Sequence, residues 1–103
     1  MKKAKILIHS KPAGILIQED GGSFIFIYNE GYTDTPIALT LPVRNDPYIF
    51  NKFPPFFDGL LPEGPQLEGL LKQSKIDKYD YLSQLIAVGG DLVGAVTVEP
   101  INE

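Results

Sequence analysis

The stretch 23-SFIFIY-28 decides the architecture. Side chains of a strand alternate between its two faces, so Phe24, Phe26 and Tyr28 share one face and Ile25 and Ile27 the other. Neither face is polar, so both require cover. Helices of the same chain can cover one; the other meets a second layer, closes on itself as a small barrel, or meets a partner.

Working outward towards the N-terminus, "AKILIH" (4–9) and "GILIQ" (14–18) read as two further strands, separated by the turn-formers "SKPAG" and "EDGG". The three strands make a meander. On the other side, the polar turn "NEGYTDT" leads into "PIALTLP" (36–42), predicted as a fourth strand whose prolines 36 and 42 sit where a strand can lose a donor.

The next segment, "FPPFFDGLLPEG" (53–64), concentrates aromatic and apolar residues between three prolines. Each proline removes a backbone donor and biases the preceding residue towards an extended shape, which predicts a turn-rich connection, neither regular helix nor central strand. Phe50, Phe53, Phe56, Phe57, Leu60 and Leu61 can individually fold back as core. All six together are harder to hide in a small domain, so part of the segment is expected to face a partner.

Beyond Gly64 the period changes. Pro65 suits the first position of a helix, and Leu67, Leu70 and Leu71 fall on one face, predicting a short helix to about Gln73. A second helix is predicted from about Lys78 to Val88, with Asp77 capping it, Asp80 adding charge to its first turn, Ile76 stapling onto Tyr81, and Gly89 as a left-handed terminator. "GAVTV" (94–98) reads as the last strand. The predicted class is α+β, one domain over residues 1–103: a small curled antiparallel sheet, open or barrel-like, carrying two or three short helices.

Composition narrows the function. The 103 residues carry 13 acidic and 9 basic side chains, a net charge of −4, with the basic residues scattered; direct nucleic-acid binding is not expected. There is no cysteine, which excludes thiol nucleophiles, disulfides and thiolate metal sites. The apolar run after "MKKAK" is too short for a secretory leader, and no run approaches a membrane span, so a cytoplasmic location is expected.

No catalytic constellation can be assembled. His9 is the sole histidine and lies at a strand end without a partner nucleophile. The glycines of "VGGDLVGAV" (88–96) follow a helix and precede a strand, the reverse of a phosphate-binding loop, and read as a cap and a turn. Glu19 and Asp20 belong to a turn, and Lys72, Lys75 and Lys78 read as a solvated face. An enzyme is not expected, nor any catalytic, cofactor-binding or metal-binding residue.

"FFDGLLPEG" (56–64), followed after a helix by "YDYLSQLIAVGGDLVGAVTV" (79–98), resembles the N-terminal subdomain of HipA-type serine/threonine kinases, toxins of bacterial persistence modules. The likeness covers most of the chain, while the ATP site, catalytic aspartate and metal-binding residues of the full-length kinase have no counterpart here. The chain is thus similar to free-standing versions of the subdomain, the HipS-type antitoxins of tripartite HipB/HipS/HipT systems. That resemblance implies an antitoxin that binds and inhibits a shortened, HipT-like kinase toxin, with a HipB-like DNA-binding protein as a further partner. The docking segment is then Phe53, Phe56, Phe57, Leu60 and Leu61, with Pro62 and Glu63 fixing the turn. Two other readings stay open: a non-inhibitory subunit that completes the kinase fold, and an excised piece of a full-length HipA-like kinase. A small-molecule binding module is a weaker option still.

Overall fold

A computed structural model describes residues 1–92 and 94–101 of the chain. In order come β1 (Lys2–Ile8), β2 (Lys11–Gln18), β3 (Phe24–Tyr28), β4 (Tyr48–Phe50), α1 (Pro55–Asp58), α2 (Pro65–Ser74), α3 (Tyr81–Val88) and β5 (Val96–Pro100). The strands form one sheet in the order β4-β3-β2-β1-β5, with every neighbouring pair antiparallel. The sheet is open, with β4 and β5 as its edges, so it does not close into a barrel.

The meander appears as the sequence predicts. Register places Leu16 between Ala4 and Phe26, which sets a small, a medium and a large side chain from three strands in one row of the buried face. Ala4, Ile6, Ile8, Phe24, Phe26, Tyr28, Val96 and Val98 complete that face, and Leu82 and Leu85 of α3 press on it. The first hairpin bends one residue earlier than the "SKPAG" signal suggests: His9 and Ser10 both take positive φ, 48° and 67°, and Lys11 and Pro12 already belong to β2. A register shift between Ile6 and Leu7 accommodates this, pairing Leu7 with Pro12 and Ile6 with Gly14.

Three expectations are corrected. Residues 36–42 are not a strand; they form a loop closed by a tight turn in which the Leu41 amide donates to Ala38 O. The reason is Tyr28, whose hydroxyl accepts from the Ile37 amide at 3.0 Å and donates to Leu41 O, so ladder pairing is replaced by a side chain and Ile37 and Leu41 still reach the core. The fourth strand is instead β4. The "FPPFFD" stretch, read as irregular, contains one helical turn, α1, which Pro55 starts at a position where its missing donor costs nothing.

The third concerns α3, which begins at Tyr81 rather than Lys78. Its N-cap is Asp80, accepting from the Ser83 amide, while Asp77 accepts from the Tyr79 amide in the preceding turn. Buried Gln84 fixes that turn by donating from Nε2 to Asp77 O and Lys78 O. At the other end Gly89 is right-handed, φ −57°, not left-handed. Its glycine is required by proximity: a Cβ there would lie 2.1 Å from Val98 O. The Gly89 carbonyl also accepts from the Val98 amide, which ties α3 to β5.

Among the described residues, no helix lies over the second face of the sheet. Ile15, Ile17, Ile25 and Ile27 are half-buried, with Lys5 opposite Ile15 and Lys3 opposite Ile17; Ile49 is 68% exposed, and none of the five isoleucines belongs to the core cluster or packs against it.

Candidate functional site

The aromatic segment divides between core and surface. Phe57 is fully buried, its ring 5.8 Å from Phe26, and Phe53 sits edge-on to Phe24 at 5.2 Å and beside Tyr81 at 5.5 Å. Both rings are consumed in roofing the sheet. A one-turn helix explains why: Pro54 and Pro55 direct α1 across the sheet, and the side facing it carries Phe57. Phe56, one residue earlier, leans on Phe57 edge-to-face at 5.2 Å and keeps part of its surface exposed.

Helical turning continues past α1, with the Leu60 amide donating to Phe57 O and the Leu61 amide to Asp58 O. Leu60, Leu61 and Pro62 are therefore delivered together, each partly exposed, and Glu63 is exposed beyond them. Gly64, φ 59° and ψ −137°, then turns the chain sharply, a conformation that side-chain-bearing residues avoid, and Pro65 opens α2. This helix packs on α3 but has no fully buried residue; Leu67, Leu70 and Leu71 all keep exposed surface. Its apolar stripe is present where the sequence puts it and only partly covered.

Two hollows flank the segment. One, of about 330 Å³, is lined chiefly by Leu60, Leu61, Pro62, Val88 and Leu92. The other, about 200 Å³, is lined by Leu41, Phe50, Pro54, Pro55 and Phe56, next to a turn whose tip residue, Leu39, is 98% exposed. The structure thus brings Phe56, Leu60, Leu61 and Pro62 into one semi-exposed apolar surface. Val88, Leu92 and the 39–41 turn join it, and sequence reasoning gave them other roles: Val88 as a helix end, Leu92 as part of a glycine turn, and 39–41 as strand. The alternation of Leu39 and Leu41 around Thr40 carried no sign that one leucine faces inward and the other outward.

The notable electrostatic features lie away from these hollows. Burial works to raise the Asp80 carboxyl, but hydrogen bonds from the Ser83 hydroxyl, Lys2 and the Ser83 amide outweigh it and hold the group below its ordinary 3.8. Lys11 and Asp34 pair at 2.6 Å on the surface. His9 is exposed at the hairpin turn, its amide donating to Ala95 O at 2.9 Å, far from any nucleophile pattern. No group of three or more His, Cys, Asp or Glu suited to a metal ion occurs among the described residues, and no described helix is long and apolar enough to cross a membrane.

Comparison with known proteins places this surface in context. Over 99 residues the chain is 28% identical to an uncharacterized protein of Haemophilus influenzae, covering 96% of this chain and 92% of that one. It is 34% identical over 113 residues to a Sinorhizobium fredii protein named "Putative kinase Y4dM", covering 97% of this chain but 28% of that protein. The chain therefore spans about a quarter of the length of this kinase-named relative. Among solved structures, a chain described as the N-terminal domain of HipA toxin superposes with a TM-score of 0.78 at 25% identity, covering 100% of this chain and 95% of that one. The family model described as the HipA N-terminal domain matches residues 4–99, and this chain belongs to that family.

Proposed function

We propose that this chain is a non-catalytic module that binds the body of a HipA-like serine/threonine kinase in trans and restrains it, acting as the antitoxin of a toxin-antitoxin system. The observation that carries the reading is the cluster of partly exposed Phe56, Leu60, Leu61 and Pro62 beside the incompletely covered leucines of α2. A domain that also occurs within longer chains is expected to keep the apolar surface used against the rest of such a chain. Phe56, Leu60 and Leu61 are the docking anchors in this reading, and Phe53 and Phe57 support them from the core. A HipB-like DNA-binding protein is the further member of the assembly.

Growth of cells co-expressing the chain with a HipA-like kinase that lacks this domain tests the reading. The wild-type chain restores growth and co-purifies with the kinase. The Leu60→Asp/Leu61→Asp variant, folded by circular dichroism, loses at least tenfold in affinity and no longer rescues. Rescue undiminished by that variant overturns the docking assignment. Stable binding with kinase activity maintained and toxicity unrelieved makes the chain a fold-completing subunit instead, a reading favoured by the occurrence of the region inside a kinase-named relative.

A further inference from the structure

We infer that the turn over residues 38–41 is a preorganised insertion loop, which carries Leu39 into an apolar pocket of the HipA-like kinase body; the inference rests on the proposed function and adds to it an anchor that the core holds in place. A single exposed leucine is ordinary on a protein surface. What distinguishes Leu39, 98% exposed, is the grip on either side of it. Ile37 and Leu41 are both buried, and the Tyr28 hydroxyl joins them, accepting from the Ile37 amide at 3.0 Å and donating to Leu41 O. The Leu41 amide closes the turn on Ala38 O at 3.1 Å. Tyr28 is itself fixed, buried edge-on to Phe26 at 4.9 Å and stacked on Tyr32 at 5.5 Å. A turn held at both ends has little freedom left to lose on binding, and the ordering of mobile loops is a main deduction from affinity.

The surroundings of the turn select the kinase body as its partner. Thr40 and Leu41, at the foot of the turn, share a hollow of about 200 Å³ with Phe50, Pro54, Pro55 and Phe56. A cavity of about 150 Å³ takes a benzene-sized group, so this hollow has room for one side chain returned by the partner. Phe56 is both a wall of the hollow and one of the proposed docking anchors, so a body seated on Phe56, Leu60 and Leu61 also meets the turn. In the kinase-named relative the matched region is 28% of the protein, and most of that chain lies outside it, a body large enough to offer the pocket. A projecting apolar side chain beside an open hollow is the interlocking arrangement in which a few buried anchors carry most of the binding energy.

Titration of the chain against a HipA-like kinase that lacks this domain tests the inference. Leu39→Asp, at an exposed position, is expected to keep the wild-type melting temperature and to lose at least tenfold in affinity, while Leu39→Met, apolar and of similar volume, keeps the affinity. Tyr28 is a positioning residue here: Tyr28→Phe leaves Leu39 in place, loosens its turn and binds several-fold more weakly. The Tyr28→Phe/Leu39→Asp double variant then binds no more weakly than Leu39→Asp alone, whereas a purely structural role for Tyr28 would add its loss to the other. Wild-type affinity in Leu39→Asp, with Leu60→Asp/Leu61→Asp defective, overturns the inference and leaves the proposed function standing. A wild type that does not bind the kinase overturns both. A wild type that sediments as a dimer, made monomeric by Leu39→Asp with kinase affinity unchanged, gives the turn to a second copy and overturns the inference too.

Discussion

Gly89 shows how much one absent methyl group decides. Its right-handed φ suits alanine perfectly well, so the backbone alone gives no reason for glycine. The reason is that α3 ends against β5, where a Cβ would sit 2.1 Å from Val98 O. Gly89→Ala is therefore expected to destabilise the chain by about 1–3 kcal/mol as an overpacking change, read from urea denaturation, with Gly90→Ala, which has open space, near neutral. Tyr28 is the polar counterpart. Burial raises its pKa, and its hydroxyl accepts from the Ile37 amide and donates to Leu41 O. Tyr28→Phe leaves both backbone groups without this partner inside the core, for an expected loss of about 1–3 kcal/mol and faster amide exchange at Ile37. From the sequence, alternation showed which way Tyr28 points. It could not show that the hydroxyl would replace a strand ladder, because that partner lies nine and thirteen residues away in a loop with its own strand-like pattern.

At the scale of elements, local chemistry was most legible where several signals agreed. Alternation fixed β1, β2 and β3, and Pro65 with the leucine spacing fixed α2. β4 escaped because three residues after Pro47 offer too little periodicity, and its existence depends on pairing with β3. The α3 start shows two capping candidates competing. Asp77 and Asp80 both cap something, and the tertiary tie from Lys2 on β1 to Asp80 and Ser83 settles which one starts the helix. Asp80→Ala should cost about 0.5–2 kcal/mol, mostly from the lost cap, because the partly exposed Lys2 pair adds little. Its pH dependence has a defined sign. The native carboxyl titrates below its ordinary 3.8, so its stabilising contribution is complete above that value and is lost as pH falls through the lowered native one. The stability difference between wild type and Asp80→Ala, measured by thermal unfolding, is expected to be constant at neutral pH and to shrink below pH 4.

At the scale of the whole molecule, the open sheet organises everything. One face is roofed by α1 and α3, and the roof carries the Phe56–Leu61 surface outward; the other carries Ile15, Ile17, Ile25, Ile27 and Ile49, with Lys3 and Lys5 directly across from Ile17 and Ile15. The need for cover on both faces followed from "FIFIY" alone, since a strand apolar on both sides demands two layers. That the chain supplies only one did not follow, because a barrel would satisfy the same pattern. The edges show that lateral growth is restrained: β4 is three residues long, and in β5 the Val98 amide is taken by Gly89 while Pro100 has no amide to offer. The two faces are then separable by substitution. The Leu60→Asp/Leu61→Asp variant should lose at least tenfold in affinity for the kinase, read by titration calorimetry, while its far-UV circular dichroism stays native, because both leucines are partly exposed. Ile25→Glu, on the opposite face and outside the core, should leave that affinity unchanged. Loss of kinase binding in Ile25→Glu with the leucine variant silent would move the contact from the roof to the isoleucine face.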